Sequence, residues 1–444
     1  MKRVLLILLA LCLLLPACGK STPSPAPDKP NGPADPGLTD ENGVTKPSVT
    51  IENTPVIYID TMDGVEIPTD KTTVNCTVKL QSKDAEHCAE GLTGTVRCRG
   101  NGSMTVGDRT GKYPYKLKFD QKINLFDLGD GEAREWVLIA NVGDITMLRN
   151  YAAKLMGDLL DGIPYSPNAR PVNVYLNGEY IGVYELTEQV EVRECRVNIN
   201  DSLTGKQNGF LVELDYYAKH PEEGDVTFRL GGQAYTVKSE VYNDDQLQYI
   251  IDCLTEVEEA IYDGDEDALE ELVDMDSLVD MYLLHEFAKN IDAGFSSFFM
   301  YQEVDGKLYF APPWDFDLAF GNDDRLDGGS YEELYVGEGR HGFMQNHLWY
   351  IELFKNDWFI DLAARRWKEI TKTVVPEVIE QVQHVAEVVG EDMGFNYGRW
   401  KFLGKKQQQE PREVYILKTY EEHVDYLVTW MQNRKEWLDM AFGV

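Results

Sequence analysis

The chain has 444 residues, 43% of them hydrophobic and 11% aromatic, which is globular and enough for one large bilobed domain or two domains. Its 76 acidic residues outweigh 42 basic ones, giving a net charge of −34; such a surface repels polyanions and excludes nucleic acid as a partner. Seven scattered histidines with no HExxH, and cysteines with no CxxC spacing, argue against a zinc centre.

In chain order, the first elements are export signals. Lys2 and Arg3 precede an apolar run from Val4 to Leu15, closed by Pro16, Ala17 and Cys18. That order predicts a signal peptide over residues 1–17, with a run too short to span a membrane comfortably. A cysteine at the cleavage point resembles a lipobox. Cys18 is therefore expected to be lipidated, tethering an extracytoplasmic protein to the cell membrane or outer membrane through the lipid anchor only. Residues 19–37 carry six prolines and no large apolar side chain, so residues 18–50 are predicted as an extended linker. Export permits disulfides, with Cys76, Cys88 and Cys98 the expected sources, while the odd count of five cysteines after Cys18 leaves at least one thiol free.

From about residue 51 the sequence alternates as strands do. Strands are predicted at 55–60 (PVIYID), 73–80 (TVNCTVKL), 92–99 (LTGTVRCR), 113–119 and 136–140. A helix follows, starting at Asp144 as N-cap, with Met147, Leu148, Tyr151, Leu155, Met156 and Leu159 on one apolar face. Residues 172–176 and 180–186 flank Asn177-Gly178 and predict a β-hairpin. Further strands are expected at 210–214 and 233–238. After about residue 243, helices are predicted at 246–262, 276–289, 358–371, 375–389 and 420–440, interrupted by a hairpin (297–304, 307–311) turned at Asp305-Gly306. This outlines a β-rich N-lobe (51–242) and an α-rich C-lobe (243–444).

Two features carry chemistry. The loop at 97–103 (RCRGNGS) closes a strand and is followed by Lys116 and Lys118 on one strand face. Backbone amides of such a loop can approach phosphates, and a cationic side chain can reach them, although Gly-Asn-Gly by itself is a common turn. The second feature is the late hairpin. A two-residue turn would set Val304 opposite Lys307, and so Ser296 opposite Asp315 and Ser297 opposite Trp314, about 5 Å apart. Asp292, Ser296, Ser297, Asp315 and Asp317 then gather at one mouth. Clustered carboxylates repel unless a cation or a proton intervenes, and a hard divalent ion such as Mg²⁺ suits oxygen ligands. A Gly loop with lysine, then a hairpin leading to aspartates, is the layout of a protein kinase. Asp315-Phe316-Asp317 stands where a kinase has Asp-Phe-Gly, Asp292 where the catalytic-loop aspartate lies, and Ser297 where a metal-binding asparagine lies.

These residues resemble the spore coat protein H (CotH) kinase-like family. The matching motifs are 99–103 (RGNGS), 112–119 (KYPYKLKF), 136–141 (WVLIAN), 147–150 (MLRN), 174–184 (VYLNGEYIGVY), 290–292 (NID) and 313–321 (PWDFDLAFG). The resemblance implies an α+β, atypical protein-kinase-like bilobed fold that transfers the γ-phosphoryl of ATP to protein side chains with Mg²⁺ or Mn²⁺. It further implies that Lys118 or Lys116 holds phosphates under the loop of Arg99, Gly100, Asn101, Gly102 and Ser103. Asp292 would orient the substrate hydroxyl, and Asp315, Asp317 and Ser297 would bind the metal. The helix after Asp144 has no glutamate to pair with the lysine, so Glu185 or Glu188 would serve. Outside a membrane ATP is scarce, which leaves two other readings: a weak or inactive pseudokinase displayed as a surface binding or adhesion module, and a carbohydrate-active protein, since paired carboxylates among aromatics also describe a glycosidase site.

Overall fold

The computed structural model describes residues 47–444 except 220, 222, 223, 326 and 339–346. The signal sequence, Cys18 and nearly all of the proline-rich linker lie outside the described residues. Among the described residues, no helix is long and apolar enough to cross a membrane.

The period-two alternation of the first half builds seven strands: β1 (Val56–Thr61), β2 (Val74–Gln81), β3 (Ala89–Cys98), β4 (Tyr115–Ile123), β5 (Ala133–Ile139), β6 (Ala169–Leu176) and β7 (Glu179–Glu188). They pair in the order β1-β2-β3-β4-β5-β7-β6, and β6 closes on β1 in parallel to complete a barrel. Ile57, Val78, Val96, Leu117, Trp136, Leu138, Val174 and Leu186 are fully buried and fill its interior. Register places the alternate residues outside. Arg97, Lys116, Val137 and Thr187 form one row across β3, β4, β5 and β7, and Ile139 and Glu185 lie in the next. Closure leaves no unpaired edge to cover. The sequence pattern anticipated the strands but not the barrel, because the closing β1–β6 contact spans more than a hundred residues.

The β6–β7 hairpin forms as expected, with Leu176 opposite Glu179 and both Asn177 and Gly178 at positive φ, the geometry of a type I′ turn. Two helices interrupt the barrel strands, α1 (Gly102–Thr110) and α2 (Arg149–Leu159). α1 was not anticipated. α2 begins four residues later than expected, because Met147 sits at φ +58 and breaks the helical run. Asp144 still caps it from a distance, its carboxylate accepting from the backbone N–H of Thr146 at 3.0 Å and of Arg149 at 2.9 Å.

A second sheet joins β8 (Phe210–Leu214), β9 (Val226–Leu230), β10 (Gln233–Val237), β11 (Phe298–Gln302) and β12 (Leu308–Tyr309) in the order β12-β11-β8-β10-β9. The boundary expected at 242/243 cuts through this sheet, since β8 pairs directly with β11. Around it lie α3 (Asp244–Asp263), α4 (Glu266–Leu272), α5 (Met275–Ala288), α6 (Leu348–Leu353), α7 (Asp357–Ile370), α8 (Val374–Arg399), α9 (Arg412–Tyr415) and α10 (Tyr420–Ala441). Asn243, Asp265 and Asp274 each cap a helix by accepting a backbone N–H three residues on. α8 ties the barrel to these helices, with Asn396 Oδ1 accepting from Val183 N at 3.1 Å. The architecture is α+β.

Two local expectations are corrected. In the β11–β12 hairpin Tyr301 faces Tyr309 and Gln302 faces Leu308, one residue out of the register expected from a two-residue turn. The turn is wider, closed by Gly306 N donating to Glu303 O at 2.9 Å, and a one-residue slip changes every opposed pair. Among the described residues Cys76, Cys88, Cys98, Cys195 and Cys253 are all free thiols. Cys76 faces Gly94, and Cys98 faces Tyr115, so register brings neither thiol to another.

Candidate active site

The segment after β12 turns on a buried aromatic. Phe316 is fully buried, with the His285 ring 4.8 Å away, so alternation sends Asp315 and Asp317 to the other side. Asp315 lies at φ +67, a conformation that costs a non-glycine residue about 1 kcal/mol or more. It is held there by its neighbours: Phe316 N donates to Asn150 Oδ1 at 2.6 Å, and Arg149 Nε donates to Ala319 O at 3.1 Å. Ser297 Oγ donates to Asp315 Oδ2 at 3.3 Å. Ser296, expected opposite Asp315, instead donates to Asp215 Oδ1 at 3.2 Å.

Above this loop stands an ion pair delivered by a helix and a strand. Lys154 of α2 donates to Glu185 Oε1 of β7 at 2.5 Å and to Thr187 Oγ1 at 3.0 Å. Its ammonium also lies 4.5 Å from the centre of the Trp314 ring, which Arg99 approaches at 5.7 Å. Both lysine and glutamate are 2% exposed. Burial lowers the Lys154 pKa, while Glu185 and Asp315 act to raise it and Arg99 to lower it. Arg99 and Lys154 are in turn the cations that lower the pKa of Asp315, which the protein packed around it raises although the side chain still opens to solvent.

The other wall is acidic. Asp292 follows α5 and receives Arg325 Nη2 at 3.2 Å on both oxygens; Arg325 Nε also donates to Asp323 at 2.9 and 3.0 Å. Burial raises the Asp292 pKa, Arg325 opposes that, and Asp315 adds to it. Asp144 is matched by Arg149. Asp317 differs: among the described residues no cation or hydrogen-bond donor meets its carboxyl. Burial raises its pKa well above the ordinary range, reinforced by Asp315, Asp144, Asp292 and Glu185. Such a carboxylate calls for a cation or a proton. Among the described residues no three His, Cys, Asp or Glu side chains converge closely enough to enclose a metal ion. Mg²⁺ needs no such cage, being bound by one or two carboxylates with phosphates and water supplying the rest, and Asp315 with Asp317 fits that mode.

The other expected residues fall as follows. Residues 99–103 lie beside this cleft, and the Tyr217 hydroxyl sits 3.5 Å from where a β-carbon on Gly102 would stand. Tyr217 also feels the charges of Asp315, Asp215 and Asp292, which joins loop to carboxylates. Gly100 has φ +85, and a β-carbon there would meet Ser103 Oγ at 2.1 Å, so this turn requires glycine. Asn101 precedes α1 and accepts from Lys71 Nζ at 2.8 Å. Lys116 and Lys118 share the outer face of β4 as expected, but both pair with Glu135, Lys118 at 3.0 Å. Glu185 reaches the lysine of the cleft, whereas Glu188 turns into the barrel end opposite Trp136, where Arg196 Nε lies 3.5 Å away.

Sequence reasoning missed Lys154, Asn141, Asn150, Arg325 and Asp215. Lys154 had no signal: it lies off the apolar face read for its helix, where a lysine reads as solvent-facing, and it is the burial of nearly the whole helix that draws it in. Arg325 had none, since its aspartate is thirty-three residues away.

The model of the family described as CotH kinase protein matches residues 96–438, more than half of the chain. No curated protein matches it.

Proposed function

The chain belongs to the CotH kinase protein family, and from that premise we propose that it is an ATP-dependent phosphotransferase of kinase type acting on protein hydroxyls at the cell envelope. The observation that carries this reading is the buried Lys154–Glu185 pair set over Trp314, beside Asp315 and the unmatched Asp317. In kinases the corresponding lysine comes from a strand and its glutamate from a helix; here α2 supplies the lysine and β7 the glutamate, with the same product. The barrel and the helix-wrapped second sheet then act as the two lobes, basic on one side of the cleft and acidic on the other.

In this reading Lys154 and Arg99 bind phosphate oxygens, and the 99–103 loop lies along them at the start of α1, where backbone N–H groups favour anions. Asp315 and Asp317 would hold the metal, which when bound neutralises charge on the phosphates. Asp292 accepts the proton of the acceptor hydroxyl, and Arg325 orients its carboxyl and opposes the burial that raises its pKa. Lys116 supports the phosphate side from the outer face of β4.

The full chain tests this directly. ATP with Mg²⁺ should stabilise it against heat, by about 2.7 kcal/mol at about one hundred times Kd. Labelled γ-phosphoryl should appear on the protein or on an added protein acceptor. Asp315→Asn and Asp317→Asn should remove the Mg²⁺-dependent part. A wild-type chain that neither binds ATP with Mg²⁺ nor transfers phosphoryl sinks the proposal. One observation favours a second reading, a binding module with weak catalysis: Arg325 occupies both oxygens of Asp292. That version predicts nucleotide binding without transfer. The envelope location rests on the lipobox-like end at Cys18, and Cys18→Ala should move the protein out of the membrane fraction.

A further inference from the structure

Two of the sequence motifs end in asparagines for which the phosphotransferase reading has no use, Asn141 after β5 and Asn150 in the first turn of α2. Both are buried, 5% and 2% exposed. Asn141 Nδ2 donates to Glu185 Oε2 at 2.8 Å, Asn150 Nδ2 donates to Asn141 Oδ1 at 3.1 Å, and Asn150 Oδ1 accepts from Phe316 N at 2.6 Å. With the Lys154–Glu185 bond, four hydrogen bonds run without a break from the cleft lysine to the backbone between Asp315 and Asp317.

The direction of this chain is set by its ends. A carboxylate only accepts, and a peptide N–H only donates. Each asparagine must therefore turn its oxygen toward Phe316 and its nitrogen toward Glu185. A reversed amide would set donor against donor at Phe316, or acceptor against acceptor at Glu185. Aspartate at either position has the right shape and the wrong chemistry, because it has no donor to pass on. Buried away from water, a broken link finds no substitute partner.

We propose that Asn141 and Asn150 are positioning residues, a directional relay that makes the pose of the Asp315–Asp317 loop depend on the Lys154–Glu185 pair. Its use rests on the phosphotransferase reading: the side that holds phosphates and the side that holds the metal reach their working geometry together. The relay itself is a property of the free protein and can be judged without nucleotide.

The test is amide hydrogen exchange at Phe316 in the full chain. Asn141→Asp does not touch Phe316, yet exchange there should rise by about tenfold, the scale of one lost buried hydrogen bond, while amides in β1 keep their protection. Adding Glu185→Gln to Asn141→Asp reverses the first link, since the new amide can donate to the new carboxylate, and should return Phe316 toward the wild-type rate. A single variant that fails to fold while the double variant folds gives the same answer. Unchanged Phe316 exchange in Asn141→Asp, or a double variant no better than the single, overturns the relay. In ATP titrations with and without Mg²⁺, the gain in affinity from the metal should shrink by about tenfold in Asn141→Asp. A wild type blind to ATP defeats the phosphotransferase reading, and the exchange result still decides the relay.

Discussion

On the outer face of the barrel, Glu135 of β5 accepts from Lys116 and Lys118, while on the neighbouring strand Glu185 accepts from Lys154 of α2. The residue types are the same, and the surroundings are not. Lys118 is 59% exposed and its charge is largely answered by water, whereas Lys154 is 2% exposed, walled by Trp314 and within reach of Asp315. Lys118 is thus a surface partner, Lys116 is half-way between at 20% exposed, and the lysine poised for chemistry is the one a helix carries inward. A third glutamate, Glu188, lies only three residues from Glu185 on β7, but that odd step puts it on the opposite face, inside the barrel end.

The comparison breaks most sharply at Lys154. Lys154→Ala leaves Glu185 buried without its cation, and thermal denaturation should show a loss of about 3–5 kcal/mol. ATP affinity should fall with it, and a variant that binds ATP like the wild type would transfer the nucleotide role back to Lys116 and Lys118.

Glu188 sharpens the contrast through pH. Burial raises its pKa to about 7 from an ordinary 4.5, with Arg196 acting the other way. The folded state therefore holds a proton that the unfolded state releases. Stability from this group is complete below pH 4.5, declines as pH rises, and is gone above about 7. Glu188→Gln should flatten that slope in melting curves taken from pH 4.5 to 8, by up to about 3 kcal/mol. An unaltered slope would mean the carboxyl is ionised throughout.

Lys118→Ala should do least. An exposed pair is worth less than about 1 kcal/mol and is screened by salt. Urea unfolding at low and high salt should differ little from wild type, and a loss of several kcal/mol would show that the Glu135 cluster is more than a surface pair.

Much of the site was legible along the chain. Asp292, Ser296, Ser297, Asp315 and Asp317 were expected at one hairpin mouth; Ser297 bonds Asp315, and the charges of Asp292, Asp315 and Asp317 act on one another, although the register used to bring them together was one residue out. The ladder ends at Tyr309, so register does not reach Asp315; the chain beyond it turns on its own path, and Ser296 bonds Asp215 while Ser297 bonds Asp315. The basic side was legible only in part. The 99–103 loop lies at the cleft, but α1 was hidden by its glycines, and Lys154 was hidden on the flank of a helix whose far side reads as solvated but is buried.

Alone, the sequence determined what acts over a few residues: the alternation of β1 to β7, the Asn177-Gly178 turn, the capped helices, and the aspartates that flank Phe316. These follow from side-chain period, backbone preference and local hydrogen bonds. Tertiary structure decided what depends on distant partners: barrel closure by β1 on β6, the sheet that joins β8 to β11, Arg325 on Asp292, and Lys154 on Glu185. The physical reason is that a charge acquires its role from the water it loses and the partner it gains, and both are set by which segments pack together.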